Sequence, residues 1–217
     1  MKRDSRMTAS ARRTSASGAV FVFGALMAAL LLGPVGGCGG DGETPRDVSR
    51  RILESLPGAL YDPPKLAPAL RLSGDAGAAF DLATERGRVV LVYFGFTNCP
   101  DVCPIVLKRW ANVRAELGAD TSRVRFVFVS VDPEHDTLAV AAAYARRFDP
   151  SFLGVSGTEA EIGEIALAWG IAKGKAHTTQ VFVVNPEGLI PWGYGSGATV
   201  EEIVLGIRAV GGARPRL

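Results

Sequence analysis

Residues 89–104 read VVLVYFGFTNCPDVCP. The run from Val89 to Phe94 is apolar and rich in β-branched side chains, which is typical of a strand buried on both faces. Cys99 and Cys103 follow it, and apolar residues then repeat at helical spacing until Gly118 ends the pattern. These helical positions are Val106, Trp110, Val113 and Leu117. The stretch therefore predicts a strand, a loop and a helix, with both cysteines at the mouth of the helix.

Strands and helices alternate along the rest of the chain. The predicted elements are a strand at 124–131, helices around 140–148 and 158–169, strands at 181–184 and 189–194 joined by a turn, and a helix from 199. Right-handed crossovers make the first two strands parallel. We therefore predict an α/β domain with a central mixed sheet and helices on both faces, in the order of the thioredoxin-like fold. The cysteine loop then lies at the carboxyl edge of the sheet, where α/β proteins place their sites.

Composition excludes several classes of protein. Of the 217 residues, 47% are apolar and 21% are charged, which is typical of a globular chain and not of a disordered one. The first 37 residues hold five Lys or Arg and one acid, so the remaining 180 carry 19 basic and 21 acidic side chains. No nucleic-acid partner is therefore expected. Three cysteines are also too few for a disulfide scaffold.

The chain begins with a basic stretch and an apolar run from Gly18 to Leu32, the pattern of a secretory signal. Residues 35–38, ending in Cys38, resemble the lipobox of bacterial lipoproteins, although the Val and Gly before Cys38 depart from the usual pattern. In a lipoprotein, Cys38 would carry the lipid anchor. The alternative is an uncleaved transmembrane anchor, because the uncharged residues 14–40 are numerous enough to span a bilayer. Both alternatives predict an extracytoplasmic domain attached to the membrane of a bacterial cell envelope.

The chain is accordingly divided into three parts. Residues 1–37 are a lipoprotein-type signal or a membrane anchor, residues 38–67 a spacer, and residues 68–217 a thioredoxin-like domain. Glycines and prolines punctuate the spacer. A short helix is expected at 46–56, where apolar residues repeat every four positions.

The cysteine pair is the first candidate site. A helix amino terminus favours negative charge, so the pKa values of Cys99 and Cys103 are expected to fall. Pro100 and Pro104 restrict the loop and suit the first helical turn. Because the domain has no other cysteine, two cysteines in one loop indicate a redox or metal site rather than two structural residues.

The two histidines differ in their surroundings. His177 precedes a predicted strand whose start faces the cysteine loop, so it is a candidate third ligand. His135 lies in a turn before a helix and is expected to be solvated. Two thiolates and one imidazole favour Cu(I) and also bind Cu(II) or zinc, although a closed zinc site needs a fourth ligand. All three methionines lie in the leader, so a copper site in the domain has to use these cysteines and His177.

Three separated motifs together resemble the Sco/SenC family: residues 94–104, residues 129–134, and His177-Thr178 with the turn at 185–188. The likeness covers about residues 68–210. It implies a membrane-tethered metallochaperone that receives copper, as Cu(I) or Cu(II), from a donor protein. The recipient would be the dinuclear copper centre of cytochrome c oxidase subunit II or another copper protein.

The same resemblance implies a set of site residues. The copper ligands of the family carry over to Cys99, Cys103 and His177, and Asp101 matches the motif between the cysteines. His135 departs from the family pattern, which commonly has Arg there, and it adds a side chain for an adventitious metal contact.

The main alternative is a thiol–disulfide oxidoreductase in which Cys99 and Cys103 are a redox-active pair that keeps the target's copper-ligand cysteines reduced. Three observations stand against it. The spacing is Cys-x₃-Cys rather than Cys-x₂-Cys, no proline lies between Gly174 and Pro186 where a thioredoxin carries its cis-proline, and His177 has no redox role. A peroxidase of the peroxiredoxin type would need a cysteine in place of Pro100. A copper-sensing binding module is the third alternative.

Overall fold

The computed structural model describes residues 43–73, 79–171 and 179–212. The predicted leader at 1–37, Cys38 and His177 lie outside these ranges, so the statements about them stay predictions. Within the described ranges, no helix combines the length and the apolar character that a membrane crossing requires.

Besides two 3₁₀-helices at Leu82–Glu85 and Gly118–Arg123, the described part of the chain contains eight strands and five α-helices. They are α1 (Pro45–Ser55), β1 (Ala59–Leu66), β2 (Arg71–Ser73), β3 (Ala79–Asp81), β4 (Val89–Gly95), α2 (Val102–Leu117), β5 (Val124–Ser130), α3 (Leu138–Arg146), β6 (Leu153–Val155), α4 (Glu159–Ala168), β7 (Gln180–Val184), β8 (Leu189–Gly195) and α5 (Val200–Val210). The helices α4 and α5 begin with capping boxes in which Thr158 and Thr199 are the N-cap residues.

The main sheet has six strands in the order β1-β8-β7-β4-β5-β6. Strands β4, β5 and β6 run parallel, whereas β7, β8 and β1 join as antiparallel neighbours. The predicted mixed sheet of a thioredoxin-like fold, with its parallel first pair and its hairpin, is confirmed. Because Tyr93 near the end of β4 pairs with Val181 near the start of β7, the cysteine loop and the start of β7 share one edge of the sheet.

Strand β4 separates two apolar clusters. Its side chains alternate between them, so that Leu91 and Tyr93 pack with α2, α3 and α5, while Val90, Val92 and Phe94 pack with α4 and the β2–β3 pair. Every residue of β4 is buried because both faces are covered. The continuous apolar run in the sequence follows from this position at the centre of the sheet.

The N-terminal boundary of the domain differs from the predicted one. Helix α1 confirms the expected short helix, but α1 contacts α5 and β1 pairs with β8, so both belong to the folded domain. The spacer prediction is therefore wrong for residues 45–66. Pro63 and Pro64 lie where the register of the edge strand β1 shifts, between Leu60 and Lys65. Prolines are tolerated in edge strands and at bulges of this kind. In the sequence the same prolines are typical of a linker, which led to the wrong prediction.

Two helical glycines allow a matched test of the packing of α5. A methyl group added to Gly206 would overlap the indole ring of the buried Trp192, whereas Gly163 on α4 faces open space. We expect Gly206→Ala to lower the free energy of unfolding by about 1–3 kcal/mol through overpacking. Gly163→Ala should raise it by about 0.5–1 kcal/mol through helix propensity. Urea-unfolding midpoints measure both changes, and a Gly206→Ala midpoint at or above wild type would contradict the described packing.

Candidate functional site

Cys99 and Cys103 meet at the amino end of α2. Cys99 lies in the loop after β4, and Cys103 is the second residue of the helix. Both are free thiols, with only 5% and 0% of their surfaces exposed, and their side chains hydrogen-bond each other. The structure therefore brings the two predicted cysteines into direct contact, within reach of a shared metal ion or a disulfide.

The surroundings of Cys99 favour its thiolate. Burial raises the pKa of Cys99, but hydrogen bonds from the backbone N–H groups of Cys103, Asp101 and Val102 and from the Cys103 side chain oppose it. The net pKa of Cys99 lies below its usual value. The fall expected for a cysteine at a helix amino terminus is therefore found here.

Cys103 has the opposite behaviour. Burial raises its pKa to about 12, although the hydroxyl of Tyr93 and the backbone N–H of Phe96 act in the other direction. The Tyr93 hydroxyl lies 3.4 Å from the sulfur of Cys103, and both side chains are fully buried. The expectation of a lowered pKa is thus wrong for Cys103, because desolvation outweighs the helix terminus.

Gly95 leaves the space that the Cys103 sulfur occupies. A Cβ atom at this position would lie 2.8 Å from that sulfur and 3.0 Å from ring atoms of Tyr93 and Phe128. Strand β4 has to end in a residue without a side chain, so the glycine of the sequence motif is required by this close approach.

A buried carboxylate attaches the cysteine loop to the neighbouring loop. Asp136 is 1% exposed and accepts hydrogen bonds from the backbone N–H of Thr97 (2.8 Å), the hydroxyl of Thr97 (2.5 Å) and the hydroxyl of Ser130 (2.6 Å). Its own carbonyl accepts from Ser156, which follows β6. Asp136 therefore links three segments at the carboxyl edge of the parallel strands.

Sequence reasoning missed the role of Asp136. The residue lies in the turn in which the sequence analysis considered only His135. Its partner Thr97 is 39 positions away. An aspartate directly before the N-cap Thr137 gave no signal of burial. The available signal was the pairing of β4 with β5, which brings the two loops to the same edge.

His135 is a turn residue, as expected. Its Nδ1 lies 2.9 Å from a carboxylate oxygen of Asp132, and its side chain is 48% exposed. Among the described residues, Asp132, Glu134 and His135 form a group whose potential ligand atoms lie within 4.8 Å of one another. This group is separate from the cysteine pair in sequence and contains no sulfur, so it is not the predicted soft-metal site.

His177 lies outside the described residues, and its role as a ligand stays a prediction. The nearest described residue, Thr179, comes two positions later and leads directly into β7. Since the start of β7 lies beside the end of β4, the chain enters the sheet at the edge that carries the cysteine loop.

Comparison with known proteins gives consistent relatives. The family model described as SCO1/SenC matches residues 59–210. The mitochondrial SCO2 homologue of Mus musculus is 35% identical over 139 residues, which are 58% of this chain and 54% of that protein. The chain spans about half the length of such mitochondrial relatives, from 51% to 61%.

Solved structures agree with this match. The apo Sco1 protein of Thermus thermophilus has a TM-score of 0.63 and 35% identity, and the match covers 70% of this chain and 95% of that one. The ScoI protein of Bradyrhizobium japonicum, solved with copper bound, has a TM-score of 0.60 and 29% identity, covering 67% and 99%.

The different pKa values of the two thiols predict selective alkylation. At neutral pH we expect iodoacetamide to modify Cys99 well before Cys103, because thiolate is the reactive form and the pKa of Cys103 is about 12. The rate at Cys99 should rise with pH around a midpoint below that of an ordinary cysteine, because the pKa of Cys99 is lowered. Tandem mass spectrometry of the peptide covering residues 89–108 distinguishes the two positions. Urea-unfolded protein, where both should react alike, is the control, and faster labelling of Cys103 in the folded protein would refute the assignment.

The hydrogen bonds of Asp136 predict a strong effect of a small substitution. Asp136→Asn turns one acceptor oxygen into a donor that faces other donors, so the free energy of unfolding should fall by about 1–3 kcal/mol. Asp101→Asn is the matched control, because Asp101 is exposed and makes no side-chain cap hydrogen bond. Its effect should stay within about 0.5 kcal/mol. Equal urea midpoints for the two variants would contradict the role given to Asp136.

Proposed function

This chain belongs to the SCO1/SenC family, and we propose that it carries copper as cargo on Cys99 and Cys103. We further propose His177 as the third ligand and the dinuclear copper centre of cytochrome c oxidase subunit II as the recipient. The observation that carries the proposal is the contact between two free, buried thiols at the start of α2. Two adjacent sulfur ligands are the donor set that Cu(I) prefers.

The relatives support copper as the cargo. Proteins of this family take part in copper assembly of cytochrome c oxidase. The ScoI protein of Bradyrhizobium japonicum, 29% identical to this chain, was solved with copper bound. The residues present here fit such an ion, because the two thiols are free and buried and accept hydrogen bonds from backbone N–H groups and from the Tyr93 hydroxyl.

We expect the two thiols to bind the incoming copper ion one after the other. Cys99, whose pKa is lowered, is the more readily deprotonated thiol and would make the first bond to incoming copper. Cys103 keeps its proton until the ion is close, and the positive charge of the ion then displaces that proton to solvent. Copper capture would therefore release a proton, and uptake should weaken as the pH falls.

A second candidate function has support in the same contact. Two hydrogen-bonded thiols, one with a lowered pKa, are also the arrangement of a thiol–disulfide oxidoreductase that keeps the target's copper-ligand cysteines reduced. In that function Cys99 would attack the target disulfide and Cys103 would resolve the mixed disulfide, leaving this chain oxidised. A reductant of the cell envelope would then have to restore the dithiol.

We propose that the domain works on the extracytoplasmic face of a bacterial membrane. The basic and apolar leader and the lipobox-like residues before Cys38 support export and attachment. A tether of this kind would keep the cargo near a membrane-bound oxidase.

The first test is copper stoichiometry. The reduced full-length protein should bind one Cu(I) tightly enough to compete with a chelator, and Cys99→Ser or Cys103→Ser should lose this binding. The loss should exceed the roughly 10–100-fold that removal of an outer hydrogen-bond partner costs, because a ligand itself is gone. Cys38→Ser and His135→Arg are the controls and should keep the tight copper. Wild-type affinity in either cysteine variant of the pair would exclude the proposed site.

The same preparation separates the two functions. A carrier binds copper when reduced and loses binding when the Cys99–Cys103 disulfide is formed, since a disulfide has no thiolate to offer. A dedicated reductase would turn over in a disulfide-reduction assay. Its His177→Ala variant would restore oxidase activity to a strain that lacks this protein as well as wild type does. Copper binding together with failure of His177→Ala to complement at limiting copper supports delivery.

A further inference from the structure

Two buried tyrosines lie around the cysteine pair. Tyr93 on β4 donates its hydroxyl hydrogen bond to the sulfur of Cys103 at 3.4 Å, and none of its surface is exposed. Sulfur in a neutral thiol is a weak acceptor, so this bond contributes little in the metal-free protein. It becomes a charge-assisted bond when the sulfur is a thiolate.

The hydroxyl of Tyr144 on α3 is in an unusual state. Tyr144 is 7% exposed, and its hydroxyl oxygen is buried without a hydrogen-bond partner in the described part of the chain. Buried hydroxyls nearly always have a partner, so an unpartnered one needs an explanation. Its ring packs against Phe128 with centroids 5.3 Å apart, and Phe128 in turn contacts Gly95 and Tyr93 beside the Cys103 sulfur.

Charge on the two sulfurs affects both tyrosines. Burial raises the pKa of Tyr144, and negative charge on Cys103 and Cys99 raises it further. The same three causes raise the pKa of Tyr93, whose hydroxyl also donates a hydrogen bond to the sulfur of Cys103. A tyrosine hydroxyl carries its proton at neutral pH, so both phenols are donors when charge develops on the sulfur pair.

We propose that Tyr93 and Tyr144 are positioning residues for the copper-loaded pair, whose two hydroxyls stabilise the negative charge that metal binding fixes on Cys99 and Cys103. The inference rests on the proposed function as a copper carrier. Among the described residues of the metal-free protein, the Tyr144 hydroxyl has no hydrogen-bond partner, and the thiolates of the loaded state supply the charge toward which it donates. Outer hydrogen bonds of this kind adjust ligand basicity and metal affinity.

The test compares three Tyr→Phe variants of the full-length protein. Tyr93→Phe and Tyr144→Phe each remove one hydroxyl and keep the ring. Tyr194→Phe is the matched control, because Tyr194 is equally buried but its hydroxyl accepts from Trp110 at 2.8 Å rather than facing the cysteines. The measurements are competition for Cu(I) against bathocuproine disulfonate, the sulfur-to-Cu(II) charge-transfer absorption, and urea unfolding of the metal-free protein.

The three variants should differ in how the urea midpoint and the copper affinity change. Tyr144→Phe should keep or raise the urea midpoint, since an unsatisfied polar atom is removed, yet lower copper affinity by roughly 10–100-fold. Tyr93→Phe should lower affinity by a similar factor and shift the charge-transfer band to lower energy, because the sulfur loses a hydrogen bond that had stabilised its electrons. Tyr194→Phe should lower the urea midpoint and leave affinity and absorption unchanged.

The outcomes separate this inference from the proposed function. If wild type binds copper through the cysteines and both tyrosine variants match its affinity and spectrum, the inference about the tyrosines is wrong and the carrier function stands. If wild type binds no copper, both are overturned. A fall in affinity that tracks a fall in the urea midpoint would mean a structural role only and would also overturn it.

Discussion

A single carboxylate, that of Asp136, receives both polar hydrogens of Thr97 and the hydroxyl hydrogen of Ser130 inside the protein. A buried charge is tolerated only when hydrogen bonds replace its lost hydration, and three donors do so here, two on Thr97 in the cysteine loop and one on Ser130 at the end of β5. The backbone bond from Val131 to Gly95 joins the same two loops. Together these bonds fix the loop between β4 and α2, and so determine where Cys99 lies relative to the helix terminus that stabilises its thiolate.

With the loop fixed, a short separation along the chain gives the two cysteines different chemistry. Cys99 precedes the helix and faces the N–H groups of its first turn, whereas Cys103 lies inside the turn and under the sheet edge, where desolvation dominates. Two thiols with equally low pKa values would both be charged, so they would repel each other and attract protons or other metal ions. The unequal pair carries one negative charge at most until a cation arrives, which limits that cost.

The sequence predicted the elements whose signals are local. Strand β4, helix α2 and the β7–β8 hairpin were predicted from apolar runs, a glycine stop and turn residues, and the cysteine pair from its spacing at a helix start. Strand β1 was missed because its pairing with β8 depends on distant residues, while its prolines indicate a linker. Asp136, Tyr93 and Tyr144 were missed for the same reason. Each contacts a side chain from another element, and no pattern within one segment of the sequence indicates such a contact.

The distribution of donors around the sulfurs bears on which function the site favours. A disulfide and a pair of neutral thiols both carry no net charge. Hydrogen-bond donors therefore stabilise either of them little. Two thiolates holding Cu(I) keep one net negative charge, which has to be stabilised inside a buried site. Backbone N–H groups at the helix start and the Tyr93 hydroxyl supply partial positive charge there. A reductase needs such donors only for the one thiolate that attacks. Donors also face Cys103, the thiol with the raised pKa, namely the Tyr93 hydroxyl and the backbone N–H of Phe96, and this arrangement supports the proposal of a site that holds a metal dithiolate.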